Sequence, residues 1–247
     1  MDWTDYDAAL FDLDGVLTPT AEVHLRAWER MFTTFLSEHG LSERSLSERG
    51  IAEPYTEADY HRYIDGKPRA DGVRAFLASR SITLPEGSPD DPPQAETVAG
   101  LGHRKNALFA EALAAGGVAG YPGSVALLDA LAPTPVRLAV VSSSRNAPAV
   151  LAAAGLLERF ELVVDGALAA EEGLPGKPAP DTYSYAADRL GVPRERAVVL
   201  EDAISGVEAG AAGGFGLVVG VDRGAGATAL RDHGADVVVT DLEELLP

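Results

Sequence analysis

Phe11-Asp12-Leu13-Asp14-Gly15-Val16-Leu17-Thr18 is the stretch on which the reading of this chain turns. With Ala8, Ala9 and Leu10 before it, Phe11 completes an apolar run of the kind that forms a buried parallel strand. Asp12 and Asp14 are alternate residues at the end of that strand, so their side chains point the same way. Gly15 allows the chain to turn sharply behind them. Two carboxylates so placed can divide one reaction, the first as nucleophile and the second as general acid/base. They can also hold a hard, oxygen-loving cation such as Mg²⁺. Asp-Gly is ordinary turn chemistry too, so the stretch has to be weighed with the rest of the chain.

Working outward, strand-like runs occur at Val136–Val141, Phe160–Val164, Val198–Leu200, Leu217–Val221 and Val237–Val239. Helical patterns lie between them, around Ser124–Leu131, Ala147–Ala154, Asp181–Leu190, Ile204–Ala212 and Gly226–His233. Strand and helix alternating in this way predict βαβ units: an α/β fold with a doubly wound, Rossmann-like parallel sheet. After the first strand, Thr20 can cap a helix running to about His39, with Val23, Ala27, Met31 and Phe35 near helical spacing. From Leu41 to about Gly117 no strand is expected, and Pro85–Pro93 reads as a long loop. The expected domains are therefore a core of residues 1–20 and 119–247 and a small helical cap, 21–118, inserted after the first strand.

In such sheets reactive groups gather at the carboxyl ends of the strands. Asp12 and Asp14 end the first. Ser142-Ser143-Ser144-Arg145-Asn146 follows the strand ending at Val141, Lys177 sits in Gly176-Lys177-Pro178-Ala179-Pro180, and Glu201-Asp202 follows Leu200. Four polar clusters thus fall where one crevice would form. Each has a plainer reading: a serine N-cap, a solvated loop lysine, an acidic first helical turn. Jointly they favour one site. A carboxylate attacking phosphorus gives an acyl phosphate and splits a difficult transfer into two easier ones. Mg²⁺ on Asp12 and on Asp202 or Glu201, with Lys177, would cancel the charge of an approaching phosphate. Ser142 would offer its hydroxyl, and Asp14 would move the proton.

Composition narrows the partners and sets a constraint on the substrate. The 247 residues carry a net charge of −18, which argues against nucleic-acid or anionic-membrane surfaces. An anionic substrate would then need a locally positive site. There is no cysteine, hence no disulfide frame, thiolate metal site or cysteine nucleophile. No apolar stretch approaches the roughly 18 residues of a membrane span. The N-terminus, with Asp2, Asp5 and Asp7, lacks the basic region of a signal peptide. A cytoplasmic protein, a monomer or weak dimer, is expected.

The ordered motifs Asp12 to Thr18, Ser142, Lys177-Pro178 and Glu201-Asp202 resemble those of the haloacid dehalogenase superfamily. A finer resemblance is to its β-phosphoglucomutase branch. It rests on Thr20-Ala21-Glu22, His24 and Ala27-Trp28, on Gly66-Lys67-Pro68-Arg69, on Arg104-Lys105-Asn106, and on Ser142–Asn146 and Gly176–Asp181. The resemblance implies that Asp12 carries the phosphoryl group, Asp14 is the acid/base, and the Asp14 carbonyl completes the metal ligands. It implies that Arg69, Ser144 and Asn146 hold a distal phosphate, and that His24 and Lys105 are a hinge-and-lid pair. Thr20 joins the catalytic set. Trp28, Gly66, Lys67, Ser143 and Arg145 join the substrate-binding set, Trp28 with a packing role first. His39, His61, His103 and His233 show no metal spacing and are read as surface residues. Pro19, Lys67 and Arg145 depart from the familiar pattern, the two cations favouring a second anionic group on the ligand.

The expected activity is a Mg²⁺-dependent interconversion of β-glucose 1-phosphate and glucose 6-phosphate, with a bisphosphate primer. A sugar-phosphate phosphatase using the same acyl phosphate is the alternative. A phosphoryl-accepting signalling domain would have no use for the inserted helices or for a second carboxylate.

Overall fold

The computed structural model describes residues 1–38 and 54–247; His39 and the expected end of the first helix fall outside them. Six strands form one parallel sheet: β1 (Ala8–Phe11), β2 (Arg137–Val141), β3 (Leu162–Val164), β4 (Ala197–Glu201), β5 (Leu217–Val221) and β6 (Val237–Val239). Their order is β3-β2-β1-β4-β5-β6. The all-apolar β1 is central and fully buried, in register with Arg137–Val140 on one side and Ala197–Leu200 on the other. The connection after β1 runs to β2 on one side and the connection after β4 runs to β5 on the other, so the crevice of a doubly wound sheet opens at the carboxyl ends of β1 and β4.

Ala8 and Leu10 face a core built with Ala139, Val141, Val164 and Val199 and with Tyr183, Ala186, Ala187 and Leu190 of the helix Asp181–Leu190. Phe11 points to the opposite face, where Phe160 meets it edge-on at 6.0 Å between ring centroids. The strand expected at Phe160–Val164 is shorter, because a 3₁₀ turn over Leu157–Arg159 takes up the approach to it. A short helix, Gly166–Glu171, was not expected. It has no apolar stripe and is nucleated by Asp165, whose carboxylate accepts from the Ala167 and Leu168 N–H groups.

The chain divides into two compact units: residues 1–20, 66–68 and 118–247, and residues 21–65 and 69–117. The first carries the sheet. In the second, the described residues form the helices Thr20–Glu38, Glu57–Tyr63, Arg69–Ser79 and Val98–Gly116, and no strand occurs among them. Its core gathers Trp28, Met31, Phe32, Phe35, Phe76 and Leu101, with the Phe32 and Phe76 rings 4.0 Å apart. Among the described residues no helix is long and apolar enough to cross a membrane. Thr20 opens the first helix without capping it, since its hydroxyl donates to Asp14 instead.

Candidate active site

Asp12 leaves β1 with its N–H bonded to the Leu200 carbonyl at 2.9 Å, so the start of the loop that follows is fixed by the neighbouring strand. Its carboxylate accepts from the Lys177 ammonium at 2.6 Å. Lys177 also donates to Glu201 at 2.5 Å and to the Val141 carbonyl at 2.9 Å, which satisfies all three of its N–H bonds in a side chain 1 % exposed. The ammonium thereby joins the ends of β1, β2 and β4. The peptide bond Lys177–Pro178 is cis.

Glu201 is equally well used. One oxygen accepts from Lys177 and from the Tyr183 hydroxyl (3.0 Å), the other from the N–H groups of Asp202 (3.0 Å) and Ala203 (3.1 Å). Four hydrogen bonds fill the acceptor positions of a carboxylate. Tyr183 belongs to this site and sequence reading passed over it. The signal was its place six residues after Lys177, in the helix that the Lys177 loop opens.

Asp14 accepts from Thr20, whose hydroxyl is shared with Thr18 at 2.7 Å; both threonines are buried. This two-hydroxyl relay orients the second carboxylate. Gly15 is required by more than its φ of +86°: a Cβ there would come within 1.8 Å of the Asp202 carboxylate. Gly206 is constrained similarly, with Glu201 occupying the space of any Cβ. Ser142, buried at the end of β2, accepts from the Ser144 N–H at 3.1 Å, and Ser144 accepts from the Asn146 N–H at 3.2 Å. The serine run thus shapes its own loop, and the following helix has no side-chain cap.

Gly66 and Lys67 pack with the sheet unit. The Gly66 carbonyl accepts from Ser143 at 2.8 Å, its α-carbon lies against Ser205, and Pro68 packs on Gly176. Lys67 is therefore carried by a segment braced on the loop after β2, on the first turn of the helix after β4 and on the Lys177 loop. Arg145 is exposed.

Within the helical unit, Lys105 donates to His24 Nδ1, and both are buried. The His24 ring stacks on Phe109 at 3.9 Å, and the Lys105 ammonium lies over the Phe109 and Trp28 rings. Trp28 is 4 % exposed and packs on Phe32. Arg69 donates to the Gly102 carbonyl at 3.4 Å. His61 and His233 are exposed, and His103 is half-buried against the Asp91 carbonyl.

Carboxylate oxygens of Asp12, Glu201 and Asp202 lie within 4.8 Å of one another, a spacing that suits a divalent metal ion. Burial, more than the nearby Glu201 and Asp14 charges, pushes the Asp12 carboxyl well above the usual carboxylate range, and Lys177 only partly opposes it. Burial also works against the Lys177 ammonium, but the charges of Asp12 and Glu201 outweigh it and hold its pKa above the lysine norm. The centre is short of positive charge. A cation bound by oxygen donors is the natural remedy.

A family model for haloacid dehalogenase-like hydrolases matches residues 6–214. A β-phosphoglucomutase of Mycobacterium tuberculosis is 52% identical over 242 residues, covering 97% of this chain and 91% of that protein. A phosphorylated carbohydrates phosphatase of Thermotoga maritima is 29% identical, over 97% of this chain and 96% of its own. Among solved structures, CbbY from Rhodobacter sphaeroides in complex with phosphate aligns with a TM-score of 0.70 and 25% identity, covering 97% of this chain and 96% of that one. Motif order, parallel sheet and these likenesses agree: the chain is an enzyme of the haloacid dehalogenase superfamily, in its β-phosphoglucomutase-like branch.

Proposed function

We propose that this enzyme is a Mg²⁺-dependent sugar-phosphate mutase that interconverts β-glucose 1-phosphate and glucose 6-phosphate through an aspartyl phosphate on Asp12 and a bisphosphate intermediate. The observation that carries the reading is the Asp12–Lys177–Glu201 network beside the Thr20-oriented Asp14, in a chain with a β-phosphoglucomutase relative at 52% identity. Asp12 attacks the phosphoryl group. Asp14 protonates the departing sugar oxygen, and deprotonates the other hydroxyl when the phosphoryl group returns.

Asp12 and Asp202, with the Asp14 carbonyl, would hold Mg²⁺. Glu201, whose four acceptor positions are filled from protein, supports the metal as a member of the acidic cluster and fixes Lys177. The bound ion supplies charge cancellation for the phosphoryl oxygens. Ser142 and the N–H groups of its loop donate to those oxygens, and Lys177 adds a fixed positive charge. In the same proposal Arg69, Ser144 and Asn146 take the distal phosphate, while Lys67, Gly66, Ser143, Arg145 and Trp28 shape the sugar subsite. His24 and Lys105 serve as the hinge-and-lid pair that the family resemblance implies.

Mg²⁺ should support activity and Ca²⁺ should inhibit it, because Ca²⁺ takes more ligands at longer distances. Full turnover in excess chelator would end the metal assignment.

The phosphatase reading is supported by the Thermotoga relative. The two readings part at Arg69→Ala. If a distal phosphate helps to exclude water, this variant should lose isomerisation by about 10²-fold while hydrolysis of a small aryl phosphate changes little. Free phosphate released per sugar isomerised should rise. A wild type that yields only inorganic phosphate from hexose phosphates, primer included, makes the protein a phosphatase.

A further inference from the structure

The loop between the two catalytic aspartates and the first helix exposes three successive carbonyls, and each is held by a different group. Arg223 donates to the Gly15 carbonyl at 2.9 Å, the buried Ser124 hydroxyl donates to Val16 at 2.6 Å, and the Tyr121 N–H donates to Leu17 at 2.9 Å. Ser124 and Tyr121 belong to one helix and its N-terminal flank. Arg223 comes from the loop after β5 and was prominent in none of the sequence motifs.

Its placement is well determined. Asp222 ends the strand with its N–H on Val239 (2.8 Å), and its carboxylate accepts from the Gly224 and Gly226 N–H groups at 3.0 Å each. From this rigid turn the guanidinium lies 4.0 Å from the Tyr121 ring centroid, donates to the Thr240 carbonyl at 2.9 Å, and pairs with Asp241 at 3.7 Å. A planar fork with several donors can serve these partners together, whereas an ammonium cannot.

What it grips matters for catalysis. The gripped carbonyl is that of the Gly15–Val16 peptide, one peptide beyond Asp14, and the Gly15 α-carbon between the two is packed against the Asp202 carboxylate so closely that no Cβ fits. A shift of this carbonyl would pull on the Gly15 α-carbon, which lies one peptide after the acid/base and against the proposed metal ligand Asp202. Glycine opposes such a shift least of all residues; the loop ties the Gly15 N–H to the Thr18 carbonyl at 2.8 Å, and Arg223 adds the side-chain tie on the Gly15 carbonyl. We infer that Arg223 is a positioning residue for the catalytic loop, holding the Gly15 carbonyl so that Asp14 and Asp202 keep their places; this rests on the phosphotransfer reading above.

A purely structural tie is the competing account, since Arg223 also fastens Thr240 and Asp241. The experiment therefore compares Arg223→Ala, Arg223→Lys and Asp241→Asn, measuring isomerisation, aryl-phosphate hydrolysis, Mg²⁺ requirement and thermal stability. Asp241→Asn removes the ion pair but leaves the Gly15 bond, so it should lower Tm and spare kcat. Arg223→Ala should lower kcat about 10²-fold on both substrates, as expected when reacting groups lose alignment, with KM for the sugar phosphate nearly unchanged. It should also raise the Mg²⁺ needed for half-maximal activity, and added guanidinium should restore part of kcat. Arg223→Lys should fall between, and it decides the matter if the alanine variant does not fold. Wild-type kcat in Arg223→Lys or Arg223→Ala overturns the assignment, as does an equal loss in Asp241→Asn. A wild type that hydrolyses the aryl phosphate but isomerises nothing rejects the mutase reading alone, because Arg223 is then judged on hydrolysis.

Discussion

Asp12→Asn should abolish phosphoryl transfer, isomerisation and hydrolysis alike, by a factor on the order of 10⁴–10⁶, since only binding and electrostatics remain once a nucleophile is removed. The fold should survive. Asparagine is isosteric, and its amide oxygen can still accept from Lys177, the bond that links the ends of β1, β2 and β4. Stability should hold or rise in the absence of metal. The Asp12 carboxyl in the folded protein is held well above its ordinary pKa, chiefly by burial. A folded-state pKa raised above the unfolded value means that the ionised carboxylate destabilises the fold at neutral pH, and the amide removes that burden. The direct check is acid-quenched labelling of the protein by a phosphorylated substrate, with hydroxylamine sensitivity as the mark of an acyl phosphate. Label retained in Asp12→Asn, or turnover above about a hundredth of wild type, would assign the nucleophile elsewhere.

Lys177→Met should damage both activity and stability, and that double loss sets it apart. Methionine fills similar space but leaves Asp12 and Glu201 buried without their shared cation. Removing one partner from a buried ion pair costs about 3–5 kcal/mol, and losing a fixed charge from the phosphoryl site should lower kcat by about 10²–10³-fold. The stability loss should depend on pH in a definite direction. Without the ammonium that opposes it, the Asp12 carboxyl is held still further above its unfolded pKa. The deficit is then small below about pH 4, where both states are protonated, and grows as pH rises. Denaturation midpoints in chelator across that range test it. A deficit that shrinks with rising pH would mean that Lys177 does not carry the balancing charge.

The phosphotransfer half of this protein was legible because its signals are local. An uninterrupted apolar run such as Ala8–Phe11 specifies a buried parallel strand, and Asp12 and Asp14 on alternate positions follow from strand geometry. The strand–helix alternation after Tyr121 gives the doubly wound sheet, and the rule on strand ends places Ser142, Lys177 and Glu201-Asp202 together. Misreadings arose where a polar side chain had two possible partners. Thr20 stands where a cap would, yet it serves Asp14, which only the turn at Gly15 brings within reach. The N-cap offered as a plainer reading of the serines after β2 is absent, because Ser142 and Ser144 accept from N–H groups within their own loop.

Sequence by itself determined the fold class and the family motifs, because secondary-structure periodicity and strand-end position are short-range properties of the chain. Tertiary structure alone decided the partners. Tyr183 joins Glu201 across 18 residues, Lys177 meets Asp12 across 165, and Arg223 reaches Gly15 across 208. Nothing in local spacing encodes such pairs. They exist because the parallel sheet returns every strand to the same edge, where a buried charge or carbonyl must find whichever donor the fold brings to it.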